Sequence, residues 1–135
     1  MRSVVLICLI LFSTISNSKA QISLAEPTDV SVINLIATPE RYNGKLVRII
    51  GYLNLEFEGN ALYLHKEDYD RSLLKNGIWI DMPRKDFIEK TKEFSKHYVV
   101  IEGIFDMSDT GHMGLFSGSL TKITRLDRWR DNAAE

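Results

Sequence analysis

Two runs of alternating apolar and polar residues, each interrupted by a glycine, constrain the fold of this chain most strongly. The first run, Leu46–Phe57, contains Gly51, and the second run, His97–Asp106, contains Gly103. The same order recurs at a spacing of 52 residues: Val47, Ile49 and Gly51, then Val99, Ile101 and Gly103. Alternation indicates a strand with one buried face, and a glycine inside a strand indicates a bulge or a bend. We therefore predict two similar curved hairpins.

The rest of the chain supplies three further strands and a helix. Strands are predicted at Ala61–His65, Ile78–Met82 and Leu115–Leu126, because apolar residues alternate there between turn-forming residues. Between the third and fourth strands, the segment Arg84–Lys96 has the pattern of an amphipathic helix. The side chains predicted to face the core from this helix are Phe87, Ile88, Thr91 and Phe94.

The predicted order of elements is β-β-β-α-β-β, which specifies a fold class. A helix between strands three and four, with bends in strands one and four, is what a five-stranded Greek-key barrel of the OB type requires. The sequence thus predicts a mainly β fold of this type, preceded by a short N-terminal helix. That helix is Val32–Ala37, and Asp29 and Ser31 are both candidate N-terminal caps for it.

The first twenty residues have the three parts of a secretory signal peptide. Arg2 gives the positive start, Val4–Phe12 is an apolar run, and the small-x-small pattern of a cleavage site ends at Ala20. Because the run is far shorter than the roughly 20 residues of a membrane-spanning helix, we expect cleavage after Ala20 and no membrane span afterwards. The predicted divisions are a signal peptide at 1–20, a flexible segment at 21–28, the OB-like domain at 29–130 and a tail at 131–135.

The predicted mature chain has neither a thiol nor a positive net charge. Cys8 is the only cysteine and leaves with the signal peptide, so the apolar core must stabilise the fold without a disulfide. Arg2 and Lys19 leave as well, and the remaining 15 basic and 18 acidic residues give a net charge of −3. Since phosphate contacts of lysine and arginine supply most of the affinity for nucleic acid, this charge disfavours a nucleic-acid partner.

No motif in the sequence indicates catalysis or metal binding. His65, His97 and His112 lie in separate segments, without the spacing of metal ligands. Ser117 and Ser119 lack the strand-to-helix turn that exposes a catalytic serine. We therefore predict a protein that is not an enzyme and has no catalytic residue, no metal site and no cofactor. A hydrolytic or metal-dependent enzyme that uses the histidines stays as a third hypothesis.

Aromatic residues are predicted on the outer face of strands one to three. On an OB barrel this face binds ligands, and aromatic rings there stack flat groups such as bases or sugars. Two interpretations stay open, because the N-terminal helix or the segment around Trp129 can instead cover the rings. The candidate ligand-binding residues, which period-two counting places on this face, are Tyr52, Tyr63, Trp79, Arg48 and His65.

Three segments between Leu35 and Trp129 make up much of the predicted domain: ATPERYNGKLVRIIGYL, LEFEGNALYL and GHMGLFSG. In these segments the chain resembles a set of short bacterial exported proteins with OB-like domains, most of which have no assigned function. The resemblance implies an OB fold and the binding of a ligand or partner in the cell envelope. It implies no catalytic residues.

The leading functional hypothesis is a monomeric, non-catalytic OB module in the periplasm or outside the cell. It binds a protein partner or a small ligand of the cell envelope through the surface of strands one to three. The alternative is an OB protein that binds single-stranded nucleic acid or oligonucleotides with the same rings, while Arg48 and Lys66 contact phosphates.

Export generates the first testable prediction. When the full chain is expressed in a host with a secretion pathway, we expect the exported protein to begin at Gln21, because the cleavage pattern ends at Ala20. N-terminal sequencing and intact-mass measurement of the exported fraction check this result. An exported chain that retains Met1 would contradict the predicted signal peptide.

Overall fold

The structure is a computed structural model that describes residues 25–129, apart from the side chain of Lys92. The predicted signal peptide and C-terminal tail lie outside this range. None of the helices within it is long and apolar enough to cross a membrane. In chain order the elements are β1 (Thr28–Val30), α1 (Val32–Ala37), β2 (Leu46–Asn54), β3 (Ala61–Tyr63), α2 (Lys66–Asp70), β4 (Gly77–Ile80), α3 (Arg84–Phe94), β5 (His97–Asp106) and β6 (Ser119–Arg128).

Strands β2 to β6 close into a five-stranded barrel. β2 pairs with β3 and β5, β3 pairs with β4, and β6 pairs with β4 and β5. These pairings are antiparallel except for β4–β6, which is parallel. Counted along the barrel strands alone, the order is one-two-three-five-four and back to one, and α3 connects the third strand to the fourth. This is the arrangement of an OB barrel, so the predicted fold class is confirmed.

The two bent strands predicted from the sequence pair directly with each other. β2 and β5 run antiparallel over Leu46–Leu53, and the repeated residues meet in pairs about a local two-fold axis. The repeat in the sequence is therefore a symmetry of one strand pair, not a duplicated domain. The facing pairs are Val47 with Gly103, Ile49 with Ile101, and Gly51 with Val99.

Both glycines stand where another strand approaches too closely for a side chain. A Cβ atom at Gly51 would lie 2.6 Å from the carbonyl oxygen of Tyr63, and one at Gly103 would lie 2.8 Å from that of Thr121. Real Cβ atoms do not come this close to a backbone oxygen, so these positions require glycine. Gly51 thus marks a close contact between β2 and β3, and Gly103 marks one between β5 and β6, where the pairing register also shifts between Glu102 and Ile104, as the predicted bulge or bend requires.

The barrel interior is filled by apolar side chains from all five strands. Each strand turns one face inward, as the alternation predicts, and the result is a single core. Full burial of one such side chain contributes roughly 1.5 to 3 kcal/mol, so the core can stabilise the domain without a disulfide. Its fully buried members include Val47, Ile49, Leu53, Leu62, Ile78, Ile80, Val99, Ile101, Phe105 and Leu120.

The predicted helix between strands three and four is present as α3, but one residue predicted to face the core points to solvent instead. Phe94 is buried in the core, and Phe87 packs against it. Ile88, which the sequence predicts to face the core, is 63% exposed. Phe87, Thr91 and Phe94 recur every three or four residues and share one face of the helix, whereas Ile88 is turned about 100° away from Phe87 and lies beyond the edge of that face.

A short strand that the sequence does not predict precedes α1. β1 pairs in parallel with β2, with Thr28 opposite Val47, along the part of β2 that β3 leaves uncovered. Ser31 caps α1: its Oγ accepts a hydrogen bond from the Asn34 N–H at 3.3 Å, and Asn34 Oδ1 accepts one from the Ser31 N–H at 2.9 Å. Of the two candidate caps, Ser31 is the one used, and Asp29 belongs to the strand.

The loops are longer than the sequence predicts. β2 ends before the predicted Phe57, and β6 begins after the predicted Leu115. In each loop one residue has a positive φ that regular strands do not have: Glu58 at +61° and Gly118 at +133°. Glu56 and Phe57, which the sequence assigns to a strand and the structure to a loop, line the candidate site.

The close approach at Gly51 predicts a large stability loss from a single methyl group. We expect Gly51→Ala to lower the free energy of unfolding by about 2 to 3 kcal/mol, because the Tyr63 carbonyl cannot retreat without breaking the β2–β3 ladder. The matched control is Gly59→Ala, where the new Cβ meets only the exposed side chain of Glu56, and we expect a change below about 1 kcal/mol. Chemical denaturation measures both values, and equal losses in the two variants would contradict this account of the bend.

Candidate ligand-binding site

Tyr52 and Tyr63 lie on the outer face of the barrel, but both rings are covered. They stand opposite each other on β2 and β3, with 4% and 2% of their surface exposed. The ring of Tyr69 in α2 packs over both at centroid distances of 5.9 and 6.1 Å, and Tyr98 meets Tyr52 edge-on at 5.5 Å. Of the two open interpretations, the covered one holds for these rings. The cover is α2, not α1 or the segment around Trp129.

Burial also changes the chemistry of the two phenols. It raises the pKa of Tyr63 to about 12, and it raises the pKa of Tyr52 as well. The charged form is disfavoured because the phenolate would lose its hydration. While α2 is in place, a base or a sugar has no access to either ring.

Trp79 is half-buried beneath the loop between β5 and β6 (107–118), which we call the β5–β6 loop. Its ring packs on Phe116 with 5.3 Å between centroids. Gly111 lies so close that a Cβ atom there would be 2.5 Å from Trp79 Cγ. Phe116 joins Ala61 and Tyr63 in a second, smaller core outside the barrel, and Trp79 packs against it. The accessible part of Trp79 lines a cleft beside the loop.

Arg48 and His65 lie on other surfaces. Arg48 lines a cleft of about 650 Å³ together with Ile50 and Trp129. His65 lines a groove beside α1. At the start of α2, its backbone N–H donates a hydrogen bond to Asp68 Oδ2 at 3.3 Å. The structure therefore does not bring the five candidate residues together in one site.

Arg48 belongs to a row of alternating charges across four strands, which we call the charge ladder: Asp29, Arg48, Glu102 and Arg125. Arg48 Nε donates to Glu102 Oε1 at 2.7 Å, and Arg125 donates to the same oxygen at 3.3 Å. Arg48 also donates to Asp29 Oδ1 at 3.3 Å. Hydrogen bonding to Arg48, and then to Arg125, lowers the pKa of Glu102, whose side chain is only 12% exposed.

The cations of the nucleic-acid hypothesis are engaged in ion pairs. Lys66 Nζ lies 2.5 Å from Asp70 Oδ2, and Arg48 is held by the charge ladder. A phosphate would have to compete with these carboxylates. Because the two tyrosine rings are also covered, the residues assigned to that hypothesis do not form an open binding surface.

The three histidines of the metal hypothesis occupy separate places. His97 Nδ1 lies 2.9 Å from the Ser95 carbonyl oxygen, His112 Nε2 lies 3.6 Å from Glu58 Oε2, and His65 lies at the start of α2. Across residues 25–129, no three histidine, cysteine, aspartate or glutamate side chains are grouped closely enough to hold a metal ion.

A largely apolar cleft opens where three segments meet: the loop between β2 and β3 (55–60), which we call the β2–β3 loop, the β5–β6 loop and the start of α3. It encloses about 380 Å³. On OB barrels the equivalent loops flank the ligand-binding surface. We call this the loop cleft, and its lining residues are Glu56, Phe57, Glu58, Asn60, Trp79, Met82, Arg84, Phe87, Ile88 and His112.

Large apolar side chains are exposed around the loop cleft. Phe57 on its rim is 86% exposed and Ile88 is 63% exposed, while Met113, next to His112, is 81% exposed. Among the described residues, these three are the most exposed large apolar side chains. Scattered apolar residues are normal on a surface, but a concentration of them beside a cleft marks an interaction site.

The loop cleft is preformed, because its loops are held by contacts. His112 Nε2 on one loop lies 3.6 Å from Glu58 Oε2 on the other. Glu58 and Met113 both adopt left-handed backbone conformations, with φ of +61° and +54°, which non-glycine residues keep only where the surroundings fix them. From the other side, Lys75 Nζ donates to the Gly114 carbonyl oxygen at 3.1 Å.

The sequence does not predict the loop cleft, although one signal points to it. Phe57 is predicted at the end of a strand and Ile88 on the core face of a helix, and both are instead exposed. The signal is local: Phe57 stands directly before the turn-forming residues Glu58, Gly59 and Asn60. Alternation alone predicts a buried strand residue here, but a residue next to a turn lies where strand pairing ends.

Comparison of the chain with protein-family models, with curated proteins and with solved structures finds no match. The resemblance to exported bacterial OB proteins therefore stays a prediction. Function has to be inferred from the geometry of the site.

The charge ladder predicts an acid dependence of stability. Because the folded-state pKa of Glu102 lies below the unfolded value of about 4.3, its contribution is complete above that pH and is lost as the pH falls through the folded-state pKa. We expect the wild-type protein to be more stable than Glu102→Gln at pH 7 and to lose this advantage on acidification below about pH 4.

Urea denaturation between pH 7 and pH 3 measures the difference. The matched control is Glu40→Gln, which removes an exposed glutamate that makes no ion pair among the described residues. We expect this control to follow the wild-type curve. If Glu102→Gln also followed it at every pH, the ladder would contribute nothing to stability.

Proposed function

We propose that this protein is a non-catalytic, exported binding module that takes a large apolar side chain of a protein partner into the loop cleft. The observation that carries the proposal is Phe57, which is 86% exposed at the rim of a cleft that also contains Trp79. Water contact on this ring is unfavourable in the free protein. Covering it recovers about 25 cal/mol for each Å² of apolar surface.

The exposed apolar side chains supply enough energy for a moderate affinity. Complete burial of a phenylalanine or isoleucine contributes roughly 1.5 to 3 kcal/mol, so Phe57 and Ile88 together can offset a large part of the cost of association. The two held loops reduce that cost further, because a preformed cleft loses little conformational freedom on binding.

The shape of the surface favours a protein segment over a small ligand. The volume of about 380 Å³ also suits a small molecule. However, Met113 projects from the β5–β6 loop without lining the loop cleft, and Phe57 stands almost wholly in water. A ligand confined to the cleft leaves both side chains exposed, whereas a bound protein segment can cover the cleft and its rim together.

Two features of the sequence support export and a binding role. The first twenty residues have the pattern of a signal peptide, and no motif for catalysis accompanies it. A module of this kind acts by holding its partner in the cell envelope or outside the cell.

Selection from a library of random heptapeptides displayed on phage tests the proposal with defined ligands. We expect the purified protein to enrich peptides that carry a large apolar residue. We also expect Phe57→Ser and Ile88→Ser to weaken their binding at least about tenfold, which corresponds to 1.4 kcal/mol.

The matched control is Ile33→Ser on α1, because Ile33 is 57% exposed, against 63% for Ile88, and lies outside the loop cleft. All three variants change exposed residues, so their stability should stay close to wild type. Failure to enrich any peptide would overturn the proposal, and so would equal binding by the wild type and the two cleft variants.

A further inference from the structure

The walls of the loop cleft carry opposite charges. Glu56 and Glu58 come from the β2–β3 loop, on either side of Phe57, and Arg84 comes from the first turn of α3. The glutamate side of the cleft is therefore negative, and the α3 side is positive. An apolar group that enters between them meets an electric field with a defined direction.

The carboxylate of Glu56 is the most available of these charges on the negative wall. Glu58 Oε2 already has the His112 imidazole beside it, with Nε2 at 3.6 Å. Among the side chains that the structure describes, Glu56 forms no salt bridge, and neither does Arg84 on the other wall. Both residues are exposed, so each can pair with a charge that a partner brings.

Resting on the proposed function, we infer that the partner segment carries a lysine or arginine next to its apolar side chain, and that this cation lies on the Glu56 side of the loop cleft. Phe57 and its two neighbouring glutamates form a short pattern of acid, aromatic and acid. The complementary pattern in a ligand is an apolar residue flanked by basic residues. Charge complementarity of this kind selects among partners more than it adds affinity.

The contribution of each charge is small and can be measured. Exposed ion pairs contribute about 0.2 to 1 kcal/mol, which corresponds to a change of roughly 1.4- to 5-fold in affinity. The effect also weakens with salt, since the Debye length falls from about 10 Å at 0.1 M to about 3 Å at 1 M ionic strength. The apolar contribution does not depend on salt in this way, which separates the two.

The experiment uses the tightest peptide from the display selection, synthesised in three capped forms. Its apolar residue stays the same, and its flanking residues are lysine, glutamine or glutamate. At pH 7.5 and low ionic strength, we expect the lysine form to bind the wild-type protein at least about threefold more tightly than the glutamate form, with the glutamine form between them. Fluorescence anisotropy measures the three affinities, and the preference should shrink at 1 M salt.

Two variants of the protein should shift this preference in opposite directions. Glu56→Gln removes the attracting charge and should lower the preference for lysine, whereas Arg84→Gln removes a repelling charge and should raise it. A purely structural role for either residue would change the affinity for all three peptides equally. Both residues are exposed, so neither substitution should unfold the protein.

The outcomes separate this inference from the proposed function. Equal binding of all three peptides, still lost in Ile88→Ser, would overturn the charge inference and leave the apolar site intact. Tighter binding of the glutamate form would overturn it as well. If no form bound, the proposed function itself would fail.

Discussion

The structure depends on the pairing of β2 with β5. Each of these strands also pairs with a second strand of the closed sheet. β2 pairs with β5 along most of its length and with β3 at its end, while β5 also pairs with β6. Strands shared in this way have to bend, and Gly51 and Gly103 permit the bends because no side chain blocks the approaching strand. Closure then brings β4 beside β6, and the backbone N–H of Trp79 donates to the Gly118 carbonyl oxygen at 2.9 Å. That contact fixes the β5–β6 loop next to the β2–β3 loop.

A barrel of this size has a narrow interior, and much of its aromatic surface is buried on the outside instead. α2 covers the paired tyrosines, and Phe116 of the β5–β6 loop covers part of Trp79. These outer layers divide the outer face of β2, β3 and β4 into covered and open areas. The open area is the loop cleft, whose position follows from which parts of the sheet the other segments leave uncovered.

The fold was predictable from the sequence because its signals are periodic. Alternation with Gly51 and Gly103, and helical spacing between strands three and four, were sufficient for the OB barrel. Whether the candidate site is open or covered was not predictable in the same way. Counting by two places Tyr52 and Tyr63 on the outer face, but whether a face is open depends on a segment elsewhere in the chain, here α2. The exposure of Phe57 was not predictable for a related reason. Beyond the end of a strand, alternation no longer indicates which way a side chain points.

The tyrosine cover also determines how the protein responds to base. The buried phenol of Tyr63 has a pKa of about 12, against about 10 in an unfolded chain. Its stabilising effect is therefore complete below about pH 10 and is lost as the pH rises toward 12. Phenolate absorbs ultraviolet light at longer wavelengths than phenol, so between about pH 10 and pH 12 the lifting of α2 would let Tyr63 ionise and would change the absorbance of the protein itself. The chain thus contains an optical reporter of its own outer layer, with no label required.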